Sequence, residues 1–357
     1  MTYLPLNLRS DLVFSFIDEE SFWKRKCEEK GWSYVDFWLS CCNWKSTFAS
    51  HLVQDALDDF ILKKIQYEDL EVLIFPFRNY LLKLTINGFK FNVINEKNHD
   101  ENLINDSLLL VGNVSKILPM FTNLEEILLF NFPVIISDCS INKRNSSIFE
   151  GFCKGFLSFA KLRQVTIVGM CLNAKYISCL IDNLVLIDTI EELDLSCCMI
   201  SAESWNTIGK LSEMSNLRKL KLRKNYLAND SITDLCKILT KSKTLSSFDV
   251  SGNLIGDAGI SSICESLLSN HMLSELDISY NSLTSNSGCF LRNVIDRNRV
   301  LKSLNISGNN LGEETGKEIS KKIQRNGTLL FLGIQFCGFR KEDEDFIHLC
   351  VSCNAKS

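Results

Sequence analysis

The chain repeats one apolar pattern of about 28 residues along most of its length. The clearest copies, of the form LxxLxLxxNxL, are spaced by 27, 28, 28 and 28 residues and begin at Ile190, Leu217, Leu245, Leu273 and Leu301. Weaker copies begin at Leu329, Leu162, Leu124 and Leu81. A fixed period of this length is typical of repeat proteins in which each copy is one supersecondary unit. We therefore predict about eight or nine stacked units over residues 80–339.

Each copy predicts a strand followed by a helix. In segments such as SELDIS the apolar residues alternate, which is the period of a strand with one buried face. Later in one repeat, Ile232, Leu235, Ile238 and Leu239 follow the spacing of a helix face. The pattern resembles the leucine-rich repeat family, specifically its ribonuclease-inhibitor-like class. The resemblance implies an α/β solenoid in the form of a horseshoe arc, with a small helical N-terminal cap.

Asparagine recurs at one position after the strand in four repeats, with Cys198 and Cys337 in the same slot of two others. The asparagines are Asn225, Asn253, Asn281 and Asn309. A buried amide here can satisfy backbone groups that the tight turn leaves unpaired. We therefore predict a structural ladder and no catalytic role for these residues.

Alternate strand residues face away from the core, so stacking the repeats in columns exposes a charge pattern. One repeat is basic, with Arg218, Lys219, Lys221, Arg223 and Lys224. Its neighbours are acidic, and the column that contains Lys221 continues with Asp249 and Asp277. Two interpretations stay open. The columns can neutralise each other through lateral ion pairs, since strands lie ~4.8 Å apart; alternatively, they form a charged docking strip for a protein partner.

Composition narrows the class of protein. The net charge of −4 argues against a nucleic-acid partner, and no uninterrupted run of 18 apolar residues predicts a membrane span. The 15 cysteines, an odd number with adjacent pairs, predict reduced thiols and a cytosolic protein. Four scattered histidines and a lone Cys350–Cys353 pair give no metal-site spacing, and no catalytic or nucleotide-binding motif is present. We expect no cofactor, no metal and no enzymatic activity.

Residues 1–79 differ from the repeats because they hold four of the five tryptophans: Trp23, Trp32, Trp38 and Trp44. A helical cap with aromatic anchors would cover the first sheet edge. Alternatively, the Leu4-Pro5 opening resembles an F-box, a module that docks to the adaptor of a cullin ubiquitin ligase, which would make the repeats a substrate receptor. Residues 340–357 are predicted to form a C-terminal cap, and residues 92–105 and 137–147 to form surface insertions.

Three short segments together resemble a more specific family, that of dynein regulatory complex subunit 5, or T-complex-associated testis-expressed protein 1. They are Phe22–Cys27, Trp44-Lys45 and Arg78–Tyr80. The resemblance implies a non-catalytic subunit of the nexin-dynein regulatory complex in the axoneme of cilia and flagella, part of the cytoskeleton. It would contact other subunits and, indirectly, axonemal dynein and doublet microtubules. Trp23, Arg25 and Trp44 are then candidates for subunit docking.

Overall fold

A computed structural model describes residues 17, 19–31, 43–61, 66–87, 111–121, 123–130, 143–170, 172–228 and 232–355. The chain divides into two compact units, Met1–Thr166 and Ile167–Ser357. Strand β3, Gln164–Val168, spans the point of division.

The first unit combines N-terminal helices with the first strands. Its elements are α1 Glu20–Lys30, α2 Trp44–Ile61, α3 Tyr67–Ile74, β1 Lys83–Asn87, α4 at 111–117, β2 Glu126–Phe130 and α5 Lys143–Gly155. Strands β1 and β2 are parallel, with Lys83 opposite Glu126. The Lys83 Nζ lies 3.3 Å from a Glu126 carboxylate oxygen, so a lateral ion pair accompanies the strand pairing.

The second unit continues with one short strand and one helical segment per repeat. After β3 its elements are α6 Ala174–Leu184, β4 Glu192–Asp194, α7 Trp205–Ile208, β5 Lys219–Lys221, α8 Ile232–Lys241, β6 Ser247–Asp249, α9 Gly256–Ser269, β7 Glu275–Asp277, α10 Gly288–Arg297, β8 Ser303–Asn305, α11 Gly312–Ile323, β9 Phe331–Gly333 and α12 Lys341–Asn354. Strands β4 to β9 pair in parallel and in chain order.

The core of the second unit lies between its strands and its helices. Leu276 in β7 is buried while its neighbours Glu275 and Asp277 are not, as expected for a strand with one buried face. On α8 the four residues with helical spacing, Ile232, Leu235, Ile238 and Leu239, are all buried. The predicted α/β leucine-rich-repeat class is therefore confirmed.

Asp257 links two successive repeats. Its carboxylate accepts hydrogen bonds from the Thr284 backbone N–H at 2.8 Å and the Thr284 hydroxyl at 2.6 Å, and also from the Ser287 hydroxyl. Partial burial raises the pKa of Asp257, but these hydrogen bonds outweigh it and hold the pKa below its usual value. The ionised carboxylate thus fastens the start of the next helical segment to α9.

Several predictions fall wholly or partly outside the described residues. Leu4-Pro5, Trp32, Trp38 and the predicted insertion at 92–105 lie outside them. Of the second predicted insertion, residues 137–142 lie outside, whereas residues 143–147 form the beginning of helix α5. The predicted boundaries between the N-terminal cap and the repeats at 79/80, and between the repeats and the C-terminal cap at 339/340, stay predictions. Across the described helices, none combines the length and the apolar character that a membrane crossing needs.

Candidate protein-binding surface

The four ladder asparagines are at most 4% exposed. Asn253 shows their bonding: its Oδ1 accepts from the backbone N–H of Asn225 at 3.0 Å and of Leu227 at 3.1 Å. Its Nδ2 donates to the carbonyls of Leu222 at 3.0 Å and Val250 at 2.8 Å. One side chain thus satisfies buried backbone groups in two repeats, which fixes the turn that leaves each strand.

The two cysteines in the ladder slot replace only part of this bonding. Cys198 Sγ lies 3.2 Å from the Ile167 carbonyl, and Cys337 Sγ lies 3.2 Å from the Ile306 carbonyl. Burial is the largest effect on both thiols, and it raises the pKa of Cys198 to about 12 and that of Cys337 to about 11. Neither thiol is ionised at neutral pH, so neither is a reactive nucleophile.

The residue before each ladder position has a left-handed backbone conformation. Positive φ values between 49° and 70° occur at Cys197, Lys224, Gly252, Tyr280, Gly308 and Phe336. From Lys224 onward, this position is occupied in turn by a bulky residue and by glycine. A Cβ added to Gly308 would lie 2.4 Å from the Tyr280 ring, and one added to Gly252 would lie 3.0 Å from the Lys224 Cγ. The bulky side chain of one repeat therefore covers the glycine of the next.

The basic repeat pairs with acidic residues on both sides. The nitrogen–oxygen distances are 3.7 Å for Arg218–Glu191, 2.6 Å for Lys219–Glu192, 3.9 Å for Lys221–Asp194 and 3.5 Å for Arg223–Asp249. Lys224 makes no ion pair within the described part of the chain. The cationic side chains are still about half exposed, and exposed pairs of this kind contribute at most about 1 kcal/mol each. A partner could therefore replace the intramolecular carboxylates at little cost.

The aspartates of the acidic column are engaged in their own turns. Asp249 Oδ1 accepts from the Ser251 N–H at 3.0 Å and from its hydroxyl at 2.7 Å, and Asp277 repeats this with Ser279 at 2.9 and 2.6 Å. Burial raises the pKa of Asp249 above its usual value, although the Ser251 hydrogen bonds and Arg223 oppose the effect. In β8, Asn305 occupies the same column and accepts from the Ser307 N–H at 3.1 Å. These side chains thus stabilise turns whether or not a partner binds.

The candidate docking residues of the first unit lie on and beside α1 and α2. Trp23 is 2% exposed, donates its indole N–H to the Ile17 carbonyl at 2.8 Å, and has its ring 5.1 Å from that of Phe48. A partner can therefore contact the Trp23 ring only after the groups packed against it move. Arg25 is half exposed and lies 3.8 Å from the Glu29 carboxylate. Trp44 begins α2, and its backbone N–H donates to the Glu20 carboxylate at 2.6 Å.

The three segments that carry the family resemblance meet in this unit. The Lys24 Nζ lies 5.8 Å from the Trp44 ring centroid, and the Cys27 thiol donates weakly to the Trp44 carbonyl at 3.9 Å. Lys45, 3% exposed, has its Nζ 4.8 Å from the Tyr80 ring centroid. Cation–π contacts are strongest where water is excluded, so the Lys45–Tyr80 contact joins the second segment to the third inside the fold.

Sequence reasoning missed a group of exposed apolar side chains on the turns, which we call the turn patch. Its members are 47–57% exposed and are Met199, Tyr226, Leu254 and Tyr280. Backbone hydrogen bonds from Tyr226 N to Ile200 O (3.1 Å) and from Leu254 N to Leu227 O (2.7 Å) hold neighbouring turns together. The available signal was an apolar residue next to the ladder slot in four successive repeats, where a solvated turn is usually polar.

Metal chemistry finds no support in the described residues, where no group of three or more His, Cys, Asp or Glu side chains lies close enough to hold an ion. Cys350 and Cys353 lie one turn apart on α12. Burial, followed by the neighbouring Cys353, raises the pKa of the Cys350 thiol. The Cys350 thiol therefore lacks the thiolate character of a reactive site.

A leucine-rich repeat family model matches residues 241–264, 269–288 and 297–320. The chain therefore contains leucine-rich repeats, whereas the resemblance to dynein regulatory complex subunit 5 stays a prediction. No curated protein sequence matches the chain.

Similar solved structures include the leiomodin-1 actin-binding site 2, with 19% identity and a TM-score of 0.37, covering 40% of this chain and 83% of that one. Another is the tropomodulin C-terminal domain of Caenorhabditis elegans, with 15% identity and a TM-score of 0.29, covering 59% and 93%. At these values neither similarity assigns a function to this chain.

Proposed function

We propose that this protein is a non-catalytic scaffold that binds other proteins through the turn patch and the adjoining basic strand β5. The observation that supports this is the exposure of apolar side chains on rigid turns beside exposed cations. Contiguous exposed apolar surface on a soluble protein commonly marks an interaction site. Tyrosine and arginine are also the residue types that contribute most to protein interfaces.

The turns are suited to binding because they are already ordered. Tyr226 and Leu254 each directly follow a ladder asparagine, Asn225 and Asn253, whose bonding fixes the local backbone. A partner therefore meets side chains whose backbone loses little freedom on binding, which lowers the cost of association. Arg223 and Lys224 lie just before Asn225, the ladder asparagine that Tyr226 follows. The surface combines an apolar centre with a cationic border, and it fits a partner that carries apolar residues next to carboxylates.

The finer proposal is that this scaffold is a subunit of the nexin-dynein regulatory complex of the ciliary or flagellar axoneme, where it helps to regulate dynein-driven motility. What supports it is the resemblance of the three N-terminal segments, together with their contacts around Trp44 and Lys45. Its partners would be other subunits of that complex and, indirectly, axonemal dynein and doublet microtubules. Neither nucleic acid nor membrane is among the proposed partners.

The test is affinity purification of the tagged protein from cells that build motile cilia, followed by mass spectrometry. The variant is Tyr226→Ser with Leu254→Ser, and the matched control is Leu186→Ser, an apolar residue 67% exposed outside the turn patch. We expect wild type and control to recover axonemal linker subunits and the double variant to lose them. Equal recovery by all three proteins contradicts a role for the turn patch.

The same purification decides between the scaffold and the alternative of an F-box-like substrate receptor. Recovery of a cullin and its adaptor, in place of axonemal subunits, would favour the receptor. Reversing charges in the basic repeat, with Lys221→Glu in β5 and Arg223→Glu just after it, tests the cationic border. Lys317→Glu, a similarly exposed lysine on α11, is the control. If the variant with both charge reversals recovers the same partners as wild type, the cationic border is not part of the interface.

A further inference from the structure

Strand β9 is the last strand of the second unit, and its outer edge repeats a donor pattern that every earlier strand of this unit uses. From β6 to β7, the Val250 N–H donates to the Asp277 carbonyl at 2.9 Å, and the Gly252 N–H donates to the Ser279 carbonyl at 2.8 Å. The same two positions donate from β4 to β5, β5 to β6, β7 to β8 and β8 to β9. Each strand thus presents two N–H groups, two residues apart, to the strand that follows.

In the last repeat these two donors are Ile334 and Phe336. Within the described residues neither backbone N–H has an acceptor. The preceding pair in β8, Ile306 and Gly308, donates to Gly333 and Gln335 at 2.8 and 2.7 Å. The outer edge of β9 therefore carries a donor pair in the register that a further parallel strand would need.

The side chains at this edge are apolar and exposed. Phe336 is 79% exposed, Phe331 49% and Leu330 46%. The segment from Leu329 to Phe339, LLFLGIQFCGF, contains neither a charge nor a proline. Charged residues and proline are the usual means of preventing an edge strand from pairing with another chain, and this edge has neither.

The left-handed position indicates what the edge would accept. Tyr280 has φ 52° and covers Gly308 of the next repeat so closely that any Cβ there would clash with the ring. Phe336 occupies the equivalent position, with φ 57°. A strand that pairs with β9 in the same register would place its own residue under the Phe336 ring, and only glycine fits there.

We propose that the β9 edge binds an extended segment of a partner protein as an added parallel strand with a defined sequence requirement. Two carbonyls of that segment, two residues apart, accept from the N–H groups of Ile334 and Phe336. The residue directly after the second carbonyl is glycine and lies under the Phe336 ring. Strand addition of this kind takes its affinity from main-chain hydrogen bonds and its specificity from alternate side chains. The site is separate from the turn patch and does not depend on it.

The chain itself supplies a probe. A synthetic peptide of residues 299–312, RVLKSLNISGNNLG, has the strand of β8 and the glycine that Tyr280 covers. Its matched control has Gly308→Ala. Binding of both peptides to the full chain is measured by calorimetry, and amide hydrogen exchange is followed at Ile334 and Phe336. We expect the glycine peptide to bind and to protect both amides, and the alanine peptide to bind about tenfold more weakly or worse.

A change of specificity provides the sharper test. Phe336→Gly keeps the backbone donor, fits the left-handed conformation and removes the ring. A second peptide, residues 327–340 with their own phenylalanine, represents a strand that is bulky at this position. We expect wild type to prefer the glycine peptide, and Phe336→Gly to lose that preference and accept the bulky peptide, as Gly308 accepts Phe336 in the next repeat.

Three results would overturn the proposal. One is the absence of protection at Ile334 and Phe336 with any peptide, and another is equal binding of the glycine and alanine peptides to wild type. The third is protection of these amides that grows with protein concentration without peptide, which would identify a second copy of the chain as the occupant. The double variant Tyr226→Ser with Leu254→Ser should still bind the glycine peptide, so failure of the turn patch and failure of this site are distinguishable.

Discussion

Replacing Asn253 by alanine tests how much one ladder side chain contributes. The substitution removes the acceptor of two buried backbone N–H groups and the donor to three buried carbonyls, the third being that of Ser251 at 3.2 Å. Each net hydrogen bond contributes about 1 kcal/mol, and a buried group left unsatisfied costs about 1–3 kcal/mol. Some of these groups can recover a water molecule. We therefore expect the free energy of unfolding to fall by about 3–5 kcal/mol, a large share of the stability of an ordinary domain.

The assay is urea unfolding followed by circular dichroism, with amide hydrogen exchange as the local measurement. Exchange should accelerate first at Asn225 and Leu227, the two amides that lose their acceptor. Leu254→Ala is the control in the same turn, because Leu254 is 57% exposed and its truncation should change stability by less than about 0.5 kcal/mol. Asn253→Cys should fall between the two, since Cys198 and Cys337 fill the same slot elsewhere.

The ladder contribution is refuted if Asn253→Ala lies within about 1 kcal/mol of wild type, because the five lost hydrogen bonds cannot then be contributing about 1 kcal/mol each. It is also refuted if Asn253→Cys is no more stable than Asn253→Ala, since the thiol would then supply none of the donor function seen at Cys198. Loss of protection far from the turn, with the Asn225 and Leu227 amides unchanged, would show that the Asn253 side chain does not protect these two amides.

Other changes give smaller or opposite effects. Asp257→Asn should lower stability by about 1 kcal/mol at neutral pH, because it weakens bonds to a carboxylate whose pKa is lowered. Urea unfolding should show that difference disappearing as the pH falls through the lowered pKa, where the wild-type carboxylate is protonated too. Asp249→Asn should match or exceed wild type at neutral pH, because burial raises the pKa of Asp249 and its ionised form is disfavoured; below the usual aspartate pKa this difference should vanish in the same assay. Gly308→Ala should cost about 1–3 kcal/mol in thermal unfolding, whereas Gly327→Ala, with open space around it, should cost little. Trp23→Ala should cost about 3–5 kcal/mol in the same measurement, since the side chain is 2% exposed.

The strand and helix positions of the second unit could be predicted because the same apolar pattern recurs at equivalent positions in successive copies. The burial of Leu276 and of the α8 face follows from a period of two in strands and 3.6 in helices. The lateral pairing of Lys219 with Glu192 and of Lys221 with Asp194 was also foreseeable, because stacking aligns equal positions. Arg223 instead pairs with Asp249 of the following repeat. Which neighbour a long side chain reaches depends on rotamers, and column alignment does not specify them.

The left-handed column could not be predicted, because residue type alone does not reveal it. Glycine at Gly252 and Gly308 is compatible with a positive φ, but Lys224, Tyr280 and Phe336 give no such indication. A bulky residue in this conformation costs roughly 1 kcal/mol or more, so the surrounding structure must impose it. Here the imposing structure is the ladder bonding of the next residue. At Tyr280 the ring regains part of that cost by covering Gly308.

Phe336 and Tyr280 occupy equivalent positions in their repeats but differ in what lies beside them. Both have nearly the same φ, and both directly precede a ladder residue. Tyr280 is 56% exposed over a glycine, and Phe336 is 79% exposed at an edge whose two donors have no acceptor among the residues that the structure describes. In the sequence the two positions are equivalent, because each has the same place in its repeat. In the structure they differ because β8 follows β7, whereas no described strand follows β9. The surface at β9 therefore arises because the last described repeat has the backbone donors of an internal repeat but no described strand beside them.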